Sequence, residues 1–350
     1  MRLTTRLKTR LDTRLPVRLS SAIAIQTVSR YFRRNEGTTD YATIPTVTLS
    51  GDFAIEFDVL VSDFGGVRAF LGDVLSSATS YVGITENTGH PLIKIGGVAQ
   101  TYEALTFALN EMNKIKITRI GGVSKVTLNG VSQSKSASPI PDSFSQLFGT
   151  GGARFLMKGI LSNLKVWDNG ALIRHYPLDD NSDTLVDKVN GQNGTVINGN
   201  PDDWGLFDRQ ANGDWLGQEL WGLPNTAATW SNFSSAATDI PDGVLITSLD
   251  GNYDRGEAIV DNPPLHVGSN YSVSVLARRG AQGVAQHVDQ FTFMSIPPTP
   301  ITSSVMTKYE FNGICTNSTG VMRVYANTDG LIGDEVVIGG VSIKEVLKNA

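Results

Sequence analysis

The sequence predicts an all-β protein: two β-sandwich domains in tandem, preceded by an extended basic N-terminal arm. Three observations carry this. Apolar and polar residues alternate along short segments such as Phe53-Ala54-Ile55-Glu56-Phe57-Asp58-Val59, the pattern of a strand with one buried face. Turn dipeptides such as Gly121-Gly122 and Asn129-Gly130 punctuate those segments, and no stretch sustains a helical period. At 350 residues the chain is too long for one ordinary sandwich and suits two, at about 100–200 residues per domain.

Composition bounds the class. Apolar residues make up 40% and charged residues 18%, with 36 Gly and 14 Pro, a core-forming, turn-rich profile that excludes intrinsic disorder. No stretch approaches the roughly 18 apolar residues of a membrane span, so a soluble chain is expected. The lone Cys315 excludes a disulfide framework and any cysteine-built zinc site. It is expected to be a small buried apolar residue.

Charge is distributed unevenly. Residues 1–34 hold nine basic residues against the single acid Asp12, giving +8; with a net charge of −5 for the chain, the other 316 residues carry −13. A basic arm on an acidic body points to docking on an acidic partner. The arm repeats every four positions as Arg2-Leu3, Arg6-Leu7, Arg10-Leu11, Arg14-Leu15 and Arg18-Leu19. On a helix of 3.6 residues per turn that repeat drifts about 40° each step and smears the leucines around the axis. On a strand the leucines share one face and nearly every charge the other, and Pro16 also opposes a helix. Such a ribbon needs a second chain or a partner surface. A plain tail and a cleaved transit peptide are the alternatives. Nucleic-acid binding lacks aromatic interleaving or a recognition motif.

Residues 35–210 are read as the first domain. In order, the segments "LSGDFAIEFDV", "NKIKITRIGGVSKVTLNGV", "KGILSNLKVWDNG" and "HYPLDDNSDTLVDKVNGQNGTVING" resemble the laminin-G-like, concanavalin-A-like jelly roll over roughly residues 40–205. The closing "YPLDD…NG" is similar to modules of phage virion proteins. The resemblance implies binding to glycan or protein surfaces, sometimes with calcium.

The same fold also carries glycoside hydrolases, which need two carboxylates flanking the scissile bond. One relative uses Glu-x-Asp-x-x-Glu along a strand. Here Glu56 and Asp58 match, but Val61 stands in the last place, so no enzyme is expected. Asp179, Asp180, Asp183 and Asp187 form an acidic cluster that reads as candidate calcium ligands or as solvated turn chemistry. The four histidines, His90, His175, His266 and His287, lack metal-ligand spacing.

Turn-rich residues 198–214 mark a boundary, with Trp204, Phe207, Trp215 and Trp221 expected to pack the domains together. Residues 211–350 are read as the second domain, with strands near 243–247, 271–279, 309–314, 320–325 and 334–346. Trp230 before "DGVLITS", the strand "YSVSVLARR" and the closing "VVIGGVSIKEV" resemble jelly-roll carbohydrate-binding modules related to families four and nine. That family closes with a calcium-binding Asp where this chain has Gly339 and Gly340. Sugar binding needs a flat aromatic and planar polar groups. Tyr253, Arg278, Arg279 and Trp230 are the candidates, with a buried core as the other reading of Trp230.

The leading expectation is a phage virion structural protein: a tail fibre, head fibre or decoration protein on the outer surface of capsid or tail. The arm would bind other virion proteins, and the sandwiches would bind host surface glycan or decorate the particle. A homo-oligomer, trimeric for instance, follows if arms pair. A bacterial non-catalytic glycan-binding protein is the alternative and a glycoside hydrolase the third reading. No membrane partner and no cofactor other than calcium are expected.

Overall fold

The computed structural model describes residues 29–349 apart from 37–38, 74–79, 96–97, 137–141, 152–154, 180, 200–203, 213, 221–224, 234, 250–254, 261–264, 281–286, 292–293, 295–298, 318–319 and 327–331. The arm pairs from Arg2-Leu3 to Arg18-Leu19 therefore lie outside the described residues.

The first lobe is built from β1 (Ser29–Glu36), β2 (Tyr41–Leu49), β3 (Phe53–Val61), β4 (Arg68–Gly72), β5 (Tyr81–Ile84), β6 (Pro91–Ile95), β7 (Val98–Thr101) and β8 (Glu111–Ile120). It continues with β9 (Val123–Leu128), β10 (Val131–Ser136), β11 (Asp142–Leu147), β12 (Lys158–Asp168), β13 (Ala171–Tyr176), β14 (Thr184–Leu185) and β15 (Gly194–Ile197). A front sheet in the order β10-β9-β8-β3-β12 packs on a back sheet in the order β14-β15-β2-β11-β4-β5-β6-β7. The alternation of β3 decides which side is which. Phe53, Ile55, Phe57, Val59 and Val61 are all buried in the core, where Phe57 and Phe107 each meet the Phe70 ring edge-on, at 5.6 and 5.4 Å. Burying such side chains contributes roughly 1.5–3 kcal/mol each, so slipping this register by one residue would expose the whole set.

Two short strands follow, β16 (Trp204–Arg209) and β17 (Trp215–Gly217). The second lobe comprises β18 (Ser231–Phe233), β19 (Ser235–Ile240), β20 (Gly243–Ser248), β21 (Arg255–Val260), β22 (Asn270–Arg279), β23 (His287–Phe291), β24 (Thr299–Pro300), β25 (Thr307–Ile314), β26 (Gly320–Tyr325) and β27 (Glu335–Asn349). One sheet runs β25-β22-β27-β20-β19 and the other β18-β21-β26-β23-β24. Between them lie Trp230, Tyr271, Val273, Val275, Met322, Val324, Ile338 and Cys315. Cys315 is buried as expected. Gly339 and Gly340 sit inside β27, where its pairing with β22 slips between Leu276 and Ala277. The chain is thus all-β, with two sandwiches in tandem.

The lobes are joined by hydrogen-bonded strands as well as by a linker. The N-terminal strand β1 pairs through Arg34–Glu36 with β12 and through Ser29–Arg33 with β16. From β16 the sheet passes to β17 and on to β27, whose Lys348 and Asn349 run parallel to Glu111 and Met112 of β8. Phe32, Leu60, Met112, Ile160, Phe207, Trp215 and Leu347 are buried in this seam. Phe32 lies edge-on to Phe207 at 5.6 Å and to Trp215 at 5.1 Å. Elsewhere along the contact, Asn270 Nδ2 donates to the Asn110 carbonyl at 3.1 Å.

The seam corrects the expected boundaries. The last six residues assigned to the arm, 29–34, are strand paired into the seam. Phe32 draws them in, because its burial is supplied by strands far away in sequence. The boundary expected at 210–211 falls in the turn between β16 and β17, where the Gln210 amide donates to the Asp214 carbonyl at 2.7 Å. Phe207 and Trp215 do pack the lobes together. The close approach of β12 to β3 beside the seam requires Gly159: φ is +145°, and a Cβ there would meet the Leu60 carbonyl oxygen at 1.9 Å.

Candidate functional site

The outer face of the front sheet carries aromatic, charged and polar side chains laid out in cross-strand rows. Trp167, Ala54 and Thr118 sit side by side on β12, β3 and β8, followed by Lys165, Glu56 and Lys116, then by Ser162, Asp58 and Lys114. Successive rows are about 7 Å apart, two residues of strand. The fourth row, Ile160, Leu60 and Met112, is apolar and belongs to the seam, where the second lobe covers it. Alternation along β3 aims Leu60 outward. It is nonetheless 2% exposed, because the seam acts as a second core on that side.

At the first row a hollow of about 560 Å³ is lined by Trp167, Thr118, Lys116, Ile120, Asp52 and Asn169. Trp167 is half-buried and shows part of its ring to the hollow. Lys116 Nζ stands 5.8 Å from the ring centroid and 3.5 Å from the Glu56 carboxylate. Beyond them Ile120 and Val123, paired across the Gly121-Gly122 hairpin, are 65% and 48% exposed. The combination of a flat aromatic, an apolar rim and charged and amide groups is what stacking on a sugar ring and bonding its hydroxyls requires.

At the third row a cleft of about 530 Å³ opens where the front sheet meets the seam. Asp58 and Lys114 line it from the sheet, Arg30 and Phe32 from β1, and Arg209 and Trp215 from the strands that lead to the second lobe. Each polar group is held by local chemistry. Asn129 and Gly130, with φ of 48° and 87°, form a tight hairpin turn at its rim. Asn129 Oδ1 accepts from the Lys114 amide at 2.8 Å, and its Nδ2 donates to Asn113 Oδ1 at 2.9 Å. Asn163, at φ 54° where β12 bulges, reaches the Asp58 carboxylate and accepts from His175 Nε2 at 3.2 Å. Arg30 is 3.5 Å from Asp179, and the Arg209 guanidinium lies 5.6 Å from the Trp215 ring centroid.

Electrostatics follow from this burial. Desolvation pushes the Asp58 carboxyl above the usual aspartate value, and Lys114, Arg30 and the Asn163 hydrogen bond oppose it only in part. Burial, with Lys165 nearby, holds the His175 imidazole below its ordinary value despite Asp179 and Asp187. Its Nε2 donates to Asn163 Oδ1 and so positions that amide.

Among the described residues, those expected to bind sugar do not converge. Trp230 is 2% exposed within the second core, its Nε1 donating to Asn225 Oδ1 at 3.2 Å, so no ring face is free and it lies in the core. Adjacent strand residues point to opposite faces, so Arg278 and Arg279 cannot form one site. Arg278 is also committed to Asp242 at 3.0 Å. Tyr253 lies outside the described residues.

The described members of the acidic cluster turn to different partners. Asp179 faces Arg30, and Asp187 turns inward to accept from the amides of His175, Val189, Asn190 and Gln192. Asp180 lies outside the described residues. Asp183 joins no group of three or more potential ligands, because none occurs among the described residues. Of the hydrolase pattern, Glu56 is engaged by Lys116 and Val61 is wholly buried on the opposite face.

Trp167 and Trp215 were not singled out as ligand-facing residues. In a strand sequence an aromatic at an outward position reads the same whether solvent, a ligand or another lobe covers it.

No family model and no curated protein matches the chain. Among solved structures it is similar to a candidate carbohydrate binding protein from Bacteroides ovatus ATCC 8483, with TM-score 0.40 and 14% identity over 51% of this chain. The chain spans 60% of that protein's length. It is also similar to domains LG4-5 of the mouse laminin alpha1 chain, with TM-score 0.33 and 10% identity, covering 90% of this chain and 83% of that one. Superpositions this loose carry no argument about function, which rests on the rows, the hollow and the cleft.

Proposed function

We propose that this protein is a non-catalytic glycan-binding protein that holds a saccharide along the outer face of its front sheet. The observation that carries the reading is Trp167, an aromatic left half-buried beside a hollow whose other walls are polar, charged and rim-apolar. Four residues of β3 separate Ala54 in the Trp167 row from Asp58 in the cleft row, a span of about 13 Å. That length suits an oligosaccharide better than a single ring. Trp167→Ala should weaken binding of whichever oligosaccharide a glycan array selects by about ten-fold or more, the loss typical of an aromatic anchor, with thermal unfolding little changed. Unaltered affinity would remove the hollow from consideration.

The same reading expects no hydrolysis. Incubating selected oligosaccharides with wild type and with Glu56→Gln should leave both intact. Turnover by the wild type that the substitution abolishes would make Glu56 catalytic.

The setting we propose is a phage particle. The arm fixes the protein to other virion proteins as a tail fibre, head fibre or decoration protein, while the two lobes face outward toward host glycan. Support comes from the charge asymmetry and the Arg-Leu repeat of residues 2–19. Because β1 begins at Ser29, the informative truncation removes 1–28 and stops there. It should fold with an unchanged melting temperature yet fail to join particles or oligomers. Normal incorporation would favour a bacterial glycan-binding protein with a dispensable tail.

A further inference from the structure

We propose that the cleft at the seam is a separate subsite for an acidic sugar, a hexuronate-type residue that bears a carboxylate among its hydroxyls. This deepens the glycan reading and rests on it. The walls hold three cations, Arg30, Lys114 and Arg209. Arg30 is shared with Asp179. Neither Lys114 nor Arg209 forms an ion pair among the described residues: Arg209 rests on the Trp215 ring, and Lys114 has only Asp58 as an electrostatic neighbour across the strand pair. Arg209, which has no carboxylate partner among the described residues, and Lys114, which has Asp58 beside it, are poised to take a carboxylate from a ligand.

Asp58 decides which kind of anion fits. A bare anion would meet its carboxylate and be repelled. A polyhydroxylated anion can donate hydroxyls to Asp58 while its own carboxylate turns to Lys114 and Arg209. An acidic peptide brings carboxylates but few hydroxyls, and so satisfies the cations while leaving Asp58 opposed. Phe32 and Trp215, both buried in the seam, close the apolar base of the cleft. Because the walls come from β1, from the front sheet and from the strands leading to the second lobe, the subsite exists only when the seam is closed.

The test uses the full chain, with calorimetric titration of a galacturonate oligosaccharide, a neutral galactose oligosaccharide of equal length, and hexaglutamate. Wild type should bind the galacturonate oligomer at least ten-fold more tightly than the neutral one, and the preference should shrink with added salt. Lys114→Met and Arg209→Gln, each checked by thermal melting, should both erase the preference for the galacturonate oligomer. Trp167→Ala should weaken both sugars alike. Equal wild-type affinity for the two sugars, a preference that survives in both cation variants, or hexaglutamate binding as tightly as galacturonate would each overturn the subsite. In those cases a Trp167-dependent affinity would still support the glycan reading, whereas loss of that dependence would count against the reading itself.

Discussion

Trp215→Ala should lower stability by about 3–5 kcal/mol, the usual cost of emptying a buried large aromatic site. Trp215 is 8% exposed and forms one wall of the Phe32 cage. The seam has few other large side chains to collapse into the gap, since Phe32, Phe207, Leu60, Met112, Ile160 and Leu347 complete it. A second signature should accompany the loss. Wild type, with a continuous sheet through β1, β16, β17 and β27, should unfold in a single calorimetric step. The variant should show two, because each lobe keeps its own core while the coupling between them is lost. A single unsplit transition with a midpoint shift under about 2 °C, small for the cost of a cavity, would mean that the seam is decoration rather than joinery.

Asp187→Ala should cost about 3 kcal/mol, because removing one buried acceptor strands several donors at once. The carboxylate is 4% exposed and accepts from His175 at 3.0 Å, Val189 at 3.1 Å, and Asn190 and Gln192 at 3.3 Å each. Burial by itself would raise its pKa, but the four amides outweigh burial and hold it below the ordinary aspartate value. A carboxyl whose folded pKa lies below its unfolded one adds stability in full above the unfolded value, near pH 3.9. That stability fades as pH falls through the folded value. The gap in melting temperature between wild type and Asp187→Ala should therefore be constant from pH 6 to 8 and narrow below about pH 4. A gap that widens toward acid would reverse the assigned sign.

Much of the architecture was legible in the residues. The alternation of β3 placed Phe57 and Val59 inside and Glu56 and Asp58 outside, as found, because a half-buried strand writes its environment in every second residue. Asn-Gly and Gly-Gly pairs located their hairpins because positive φ is needed there. What escaped depended on distant partners. "SRYFRRNE" reads as polar arm because the residues that shelter Phe32 come from positions near 160, 207 and 215. Leu60 broke the outward pattern, but only the second lobe explains why. Asp187 looked like its acidic neighbours until the loop folded around it, and nothing in the pattern singled out Trp167 as the tryptophan beside a hollow. Spacing within a strand reports which side a residue is on and leaves open what lies there.

Antiparallel neighbours bond successive stretches of β1, β16 along Ser29–Arg33 and β12 along Arg34–Glu36, and this has a mechanical outcome. Tension entering at Ser29 while the front sheet is held fast runs along the strand axis. The bonds to β12 and β16 are then loaded together in shear and cannot be peeled one after another. Yielding becomes a matter of unfolding rate under force, so a tether made at this point would slip last where it is pulled hardest.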